Sequence, residues 1–529
     1  MKSLTPAQVD ALLKKQAAGS TVYLVGAGGC GMSGLGHLFL DLGYKVAGSD
    51  LVENELTHQL QKRGAEVQNN HSSMRLEQAR PFLAVYSSAI QSGNPELMSA
   101  QGLQIPTARR GAVLAALLRR QRGICVAGMH GKTTTTALAA YALEQLGTKP
   151  SFAIGAEVSQ LSPHARFVNA PLRDGSGVPP YFVVEADESD GTLGGFQPDH
   201  AILLNLDAEH LDYFSDLEGV CSAFQEFGAQ VSGRLIYCAD DERLASLFDE
   251  APNGVSYGFH PQAQYRIEGQ AEAGQLLTPH ASRFTHFKLW HHDSLLGEFS
   301  IALFGRQNVS NAAAVIALLH QLQLQPVEIA RAIRSFRGAA RRQQELYRDE
   351  RCQVFDDYGH HPAEIRATLR ALKEFAPTRL LVAFQPHRFS RTQKLMAEFA
   401  ASFEEAHRLW LTEIYPASEP PIPGIDSAAL AGAIRRHGQH VELVPTLEQL
   451  CASVRQAIAP GDLILFLGAG DITEAARGFA DQLRQEAAAT RESLGAELTR
   501  RLSSASVVRH DEPLAKRTTL RVGGRADLY

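Results

Sequence analysis

Two kinds of stretch in this chain carry residues whose types and spacing could move a phosphoryl group. The first is "VAGMHGKTTTT", Val126 to Thr136. It closes as a phosphate-binding loop does, in Gly131-Lys132-Thr133, yet the usual G-x-x-x-x-G-K-[ST] form needs glycine where Val126 stands. The nearest upstream glycine is Gly128, so the loop is the shorter Gly128-Met129-His130-Gly131-Lys132-Thr133. Backbone N–H groups of Gly131, Lys132 and Thr133 can wrap phosphate oxygens. Lys132 brings positive charge to a transferring phosphoryl group, and the Thr133 hydroxyl can ligate Mg2+. An apolar run precedes the loop and a helix is expected from about Thr134, which makes a nucleoside triphosphate the expected ligand rather than a solvated lysine on a glycine turn.

The second kind is acidic. "VVEADESDGTL" sets Glu185, Asp187, Glu188 and Asp190 at the end of an apolar run, and "LLNLDAEHLDYF" sets Asp207, Glu209, His210 and Asp212 at the end of another. So many carboxylates repel one another unless cations or hydrogen bonds compensate. Glu185 and His210, at the carboxyl ends of neighbouring parallel strands facing a phosphate loop, suit Mg2+. Taken singly, Asp187 and Asp212 read equally as a loop acid and a helix cap.

A further glycine loop, "VGAGGCGMSG", satisfies G-x-G-x-x-G through Gly26, Gly28 and Gly31, with Gly29, Met32 and Ser33 beside them and Asp50 following. Such glycines permit a tight turn and let N–H groups approach a diphosphate at a helix N-terminus. The fingerprint leaves two ligands open: NAD with Asp50 on a ribose, or another diphosphate.

These loops need parallel strands to carry them. Candidate strands are "TVYLV" (21–25), "GICVA" (123–127), "YFVVE" (181–185), "AILLN" (201–205), "RLIYC" (234–238), "RLLVAF" (379–384) and "DLILFL" (462–467), alternating with helical patterns as in an α/β protein. Between about 251 and 304 alternating segments separated by Gly and Pro look antiparallel. Three α/β units follow, 1–115, 116–335 and 336–485, then 486–529 as a polar linker helix, expected from about 482, and a tail. "MKSLTPAQVDALLKKQ" reads as an amphipathic helix rather than a signal peptide. Apolar residues make up 44%, charged residues 20%, and the net charge is −6. This composition belongs to a soluble globular protein and points away from nucleic acid, from anionic membranes and from membrane insertion, and toward the cytoplasm. The six cysteines lack any C-x-x-C pair and are expected to be buried thiols, without a disulfide framework or a zinc site.

The ordered set "GAGGCGMSG", "GMHGKTTTT", "EADESD", "NLDAEHLDYF", "GRQNVSNAAA", "FRGAARR", "DDYGHHPAEI", "FQPHRFSRT" and "GAGD" resembles the Mur ligase family over about residues 18 to 480. The resemblance implies three domains: a Rossmann-like one for a uridine nucleotide sugar, a central P-loop ATPase domain, and a Rossmann-like C-terminal domain that closes over both. It implies ATP and Mg2+, and ligation of L-alanine to UDP-N-acetylmuramate for peptidoglycan precursors. The first glycine loop and Asp50 would then hold the UDP diphosphate. Gly128 to Thr134 would hold the ATP phosphates, and Thr133, Glu185 and His210 the metal. Asn308 and Asn311 would lie by the adenine, and Arg341 or Arg342 and Asp357 would approach ATP from the third domain. Tyr358, His360 and His361 would serve the alanine and the reacting carboxylate. His387, Arg388 and Arg391 would contact the muramyl substrate or its phosphates. Lys132, Glu185, His210, His360 and Arg388 are the catalytic candidates.

The chain departs from the family pattern at Gln307, at Glu209 and at Met129, where histidine, aspartate and threonine are usual; the acceptor, donor and metal groups remain. "EPLAKRTTLRVGGRADLY", Glu512 to Tyr529, resembles the start of the reductase that makes UDP-N-acetylmuramate, so a fusion is expected, with FAD and NADPH serving only that further part. Competing readings are a family ligase that recycles a whole tripeptide, an NAD-dependent dehydrogenase, and a nucleotide sensor without catalysis. The last would need neither Glu185 nor His210.

Overall fold

The computed structural model describes residues 3–91, 93–169, 179–187, 191–207, 217–269, 284–417 and 419–506. The chain divides into two compact units, residues 1–476 and residues 477–529. The first holds three sheets among the described residues. In the second, the described residues are the remainder of the helix Ile472–Ser506. That helix begins ten residues before the expected 482, because Ile472, Ala476, Phe479, Ala480 and Leu483 already recur at helical spacing. His210, Glu188, Asp190, Glu209 and Asp212 lie outside the described residues, as does the tail Glu512 to Tyr529.

In the first sheet five parallel strands run in the order Glu66–Gln68, Lys45–Ser49, Thr21–Val25, Leu83–Tyr86, Thr107–Arg109. Thr21–Val25 is central, and connections leave it in opposite directions, so its carboxyl end opens a crevice. The loop Gly26–Gly29 stands there, and Gly26 takes φ +85, a backbone that favours glycine. The expected N-terminal helix is Pro6–Lys15, capped by Thr5 and burying Val9 and Leu13.

The second sheet reads Ser294–Ile301, Thr285–His291, Tyr265–Glu268, Gly254–Gly258, Leu235–Cys238, His200–Leu203, Arg122–Ala127, Tyr181–Glu185, Ser151–Ala153, Ala165–Arg166. Arg122–Ala127 pairs in parallel with the strand that ends at Glu185 on one side and with His200–Leu203 on the other. The margin expected to be antiparallel is mixed: Tyr265–Glu268 is parallel to Gly254–Gly258, and the direction reverses only at Thr285–His291. In the third sheet, Gln344–Arg348 is antiparallel to Cys352–Asp357. Asp462–Leu467, Arg379–Phe384, Arg408–Leu411 and Val441–Leu443 follow in parallel.

One face of the first sheet merges with the second sheet into one apolar core and its other face closes over Leu76, Leu97 and Ala100, whereas the third sheet closes over its own core. Cys125, Cys238 and Cys352 are buried free thiols; Cys30, Cys221 and Cys451 are only half-buried, so burial of the thiols is partial.

Candidate active site

The phosphate loop leaves the strand Arg122–Ala127 and enters the helix Lys132–Gln145. The helix starts two residues before the expected Thr134, because Gly131, at φ +85, turns the chain directly into it. Gly128 takes φ +138, and a Cβ there would lie 3.0 Å from Leu204. Asn205, just past the end of His200–Leu203, clamps the loop with one amide: its Oδ1 accepts the His130 N–H at 2.8 Å and its Nδ2 donates to the His130 carbonyl at 3.0 Å. Lys132 Nζ donates to the carbonyls of Gly128 and Met129, at 2.5 and 3.3 Å. Met129 and Thr134 are buried beneath the loop.

Glu185 ends the neighbouring strand. Its carboxylate accepts the Thr133 hydroxyl at 3.2 Å and the Gly155 N–H at 2.5 Å. Burial raises its carboxyl above the usual range, against the opposing pull of the Gly155 N–H, Arg342, Lys132 and Thr133. A hydroxyl and a carboxylate this close form an oxygen donor pair suited to a hard divalent cation. Among the described residues no cluster of three or more His, Cys, Asp or Glu could hold a metal, and His210, the third expected ligand, is not among those residues.

One cavity, open to solvent, joins this loop to the first sheet. Lys132, Gly155 and Glu185 line one side, Cys30, Gly31 and Arg110 the other. Arg110 also donates to Asp187 at 3.1 Å, so this acid, readable as a loop residue, is an ionic tie between the domains. A Cβ on Gly31 would meet Arg110 Cδ at 2.8 Å, and one on Gly155 would meet Glu185 Oε2 at 2.6 Å. Gly29 caps the helix Cys30–Asp41, within which Met32 is buried and Ser33 donates to the Cys30 carbonyl at 3.0 Å. Asp50 braces the glycine loop: its carboxylate accepts N–H groups of Gly28 at 2.7 Å and Val52 at 3.1 Å.

From the third sheet, Asp357 accepts the N–H groups of Gln343 and Gly359, and burial pushes its carboxyl up to about 6, with Arg342 pulling the other way. Arg341 turns to the carbonyls of Gly468 and Gly470, at 2.7 and 3.1 Å, while Arg342 reaches Glu364 at 3.8 Å. Both guanidinium groups flank the Tyr358 ring, at 4.8 and 4.9 Å. His360 bonds through Nδ1 to the Tyr358 carbonyl, and burial lowers its imidazole to about 4, so it is neutral at neutral pH. His361 caps the helix Pro362–Lys373 and its ring lies 5.5 Å from that of His130. The His387 ring stacks on Tyr415 and stands 5.7 Å from His360, with Arg391 Nη1 at 3.1 Å from its Nδ1. Arg388, at φ +71, points Nη1 toward Glu419 at 3.9 Å. Asn311 lies against the phosphate loop, 2.9 Å from where a Gly131 Cβ would stand; Asn308 donates to the Phe304 carbonyl and to Gln343.

Lys132 and Glu185 thus meet in one cavity with Gly31, Thr133 bonding to Glu185 beside it, and His360, His361 and His387 gather with Tyr358 on the third domain. Sequence reasoning missed three residues: Asn205, Arg110 and Glu364. Of these only Glu364 carries a local signal, the His361-Pro362-Ala363-Glu364 capping box.

Models of three domain types match the chain in order: "Mur ligase family, catalytic domain" over residues 21–122, "Mur ligase middle domain" over 126–319 and "Mur ligase, glutamate ligase domain" over 341–470. The UDP-N-acetylmuramate–L-alanine ligase of Anaeromyxobacter sp. (strain Fw109-5) is 42% identical over 86% of this chain and 96% of its own length. That of Geotalea daltonii is 38% identical over 88% and 98%. Among solved structures, the UDP-N-acetylmuramate–alanine ligase of Thermotoga maritima aligns with TM-score 0.75 and 27% identity over 88% of this chain and 99% of its own. A murein peptide ligase from Psychrobacter arcticus aligns with TM-score 0.64 and 21% identity over 88% and 98%, a likeness of fold. With loops, sheets and sequence in agreement along most of its length, the chain belongs to the Mur ligase family.

Proposed function

We propose that the chain joins L-alanine to UDP-N-acetylmuramate with cleavage of ATP to ADP and phosphate. The observation that carries this reading is the single cavity lined by Lys132 and Glu185 on one side and by Gly31 and Arg110 on the other. With ATP on the Lys132 loop and the UDP diphosphate on the Gly26–Gly31 loop, the two nucleotides would lie within reach of each other, as transfer between them requires. Residues 1–115 would hold the UDP substrate, 116–335 ATP, and 336–485 the alanine, acting in the cytoplasm. The relatives of Anaeromyxobacter and Geotalea, and the higher structural likeness to the alanine ligase than to the murein peptide ligase, support alanine over a tripeptide.

A carboxylate is a poor acyl donor. In the proposed course a lactyl carboxylate oxygen attacks the γ-phosphorus and the bond to ADP breaks, giving an acyl phosphate. The alanine amine, having lost its proton, then attacks the acyl carbon, and phosphate leaves carrying that carboxylate oxygen. Gly131, Lys132 and Thr133 supply N–H groups and one positive charge to the transferring group. Thr133 and Glu185, with His210 as a third candidate, would hold Mg2+, which when bound neutralises charge on the phosphates. Neutral His360 orients a substrate group by hydrogen bonding rather than acting as a strong base, since a group titrating near 4 holds a proton weakly at neutral pH. Closure of the third domain would exclude water from the acyl phosphate.

Positional labelling tests this course. With oxygen-18 in the lactyl carboxylate, one labelled oxygen is expected in each phosphate released. Unlabelled phosphate would overturn the acyl-phosphate route.

A further inference from the structure

Glu364 occupies the third position of the helix Pro362–Lys373, where a capping box asks a carboxylate for one bond, to the backbone N–H of the capping residue. This side chain does more. Its Oε2 accepts the N–H groups of His360 at 3.0 Å and His361 at 3.3 Å, and lies 3.5 Å from His360 Nδ1. The other oxygen faces across the domain boundary, with Oε1 3.5 Å from Nδ1 of His130, in the phosphate loop, and 3.8 Å from Arg342. The side chain is only 16% exposed, so these contacts are made in surroundings poorer in water than the surface. Burial alone would raise its carboxyl, yet His360, His130 and Arg342 hold it well below the usual carboxylate range. His130 is the residue whose backbone Asn205 clamps, so a push on its ring is a push on the loop.

We propose that Glu364 is a positioning residue that couples the docking of the third domain to the phosphate loop through His130, so that nucleotide affinity depends on a carboxylate outside the nucleotide domain. The proposal rests on the reading of the Gly128–Thr133 loop as the ATP site, but not on the identity of the amino acid. Asp357 and Arg391 also face this cluster. Glu364 touches no reacting atom; it acts by fixing the loop.

The test is a calorimetric titration of the full chain with a non-hydrolysable ATP analogue in the presence of magnesium, using wild type, Glu364→Gln, His130→Asn and the double variant. Glutamine keeps an oxygen for the capping N–H groups, so thermal unfolding should move by no more than about 2 °C. Binding should weaken about tenfold in Glu364→Gln, and the double variant should be no weaker than the poorer single variant. In turnover, the KM for ATP should rise while kcat changes by less than about threefold. Analogue affinity within about twofold of wild type in Glu364→Gln, or two single effects that multiply in the double variant, would overturn the coupling. Wild type that binds the analogue but ligates no amino acid would instead sink the ligase reading and leave this test standing.

Discussion

Between the first and central sheets the contact is a continuous apolar core, in which Leu35 and Leu38 of one domain belong to the same cluster as Phe167 and Phe182 of the other. Between the central and third sheets it is mostly polar. His130 meets Glu364, Asn308 meets Gln343 at 3.2 Å, and the Ala340 N–H donates to the Glu157 carbonyl, with Phe304 on Phe375 as an apolar contact. The two differ in kind as well as in strength. Apolar burial contributes about 25 cal/mol per Å² and gives way only when the packing is broken. Polar contacts can be exchanged one at a time for others without breaking a packed core. The first two sheets therefore share a packed core, while the third is joined to them in good part by polar contacts that can be exchanged singly.

The phosphate loop lies where the two contacts meet, so breaking it should have the largest effect. Lys132→Ala is expected to lower ligation by at least about a thousandfold while the affinity for UDP-N-acetylmuramate stays within about threefold, read by calorimetry. A matching loss of UDP-substrate affinity would mean that the two sites are not separable in this way.

On the apolar side, Leu38→Ala should cost about 2–5 kcal/mol of stability in chemical denaturation, because a wholly buried leucine leaves a cavity in tightly packed surroundings. The affinity of the remaining folded protein for nucleotide should not change. A loss below about 1 kcal/mol would show that this core yields more readily than its packing suggests.

The polar side should be sensitive to pH. The carboxyl of Asp357, raised to about 6 by burial, binds a proton more tightly in the folded than in the unfolded chain. Its contribution therefore favours folding at low pH and is lost as pH rises from about 4 to about 6, by at most about 3 kcal/mol. Asp357→Asn should remove that slope, so the stability of wild type relative to this variant should fall across the window and be flat above it. Glu364, held low, contributes in the opposite sense: its stabilisation is present above its unfolded value and fades only in stronger acid.

Much of this was legible in the sequence because it is local. The apolar runs ending in Ala127, Glu185, Phe384 and Leu467 are strands at those residues. The glycine spacing places both glycine turns at strand ends. The helix start at Lys132 was not legible, because four consecutive β-branched threonines lower helical expectation, and only their burial in the folded domain outweighs it. "AILLN" ends as a strand at Leu203, which frees Asn205 to clamp the loop, and nothing in the run marks that early stop. Arg110 and Glu364 act across domain boundaries on residues 77 and 234 positions away, Asp187 and His130, and no window of sequence contains both partners. The capping box accounts for why Glu364 stands on its helix, but not for what its second oxygen meets.

The most direct test of the proposed reaction is ADP release by the full chain with ATP, magnesium and UDP-N-acetylmuramate, measured with each of several amino acids and with none. Release should require the UDP-linked acid and L-alanine together, with glycine and L-serine slower and no sustained turnover when either partner is omitted. Equal release without L-alanine, or strict dependence on a different amino acid or on a tripeptide, would contradict it.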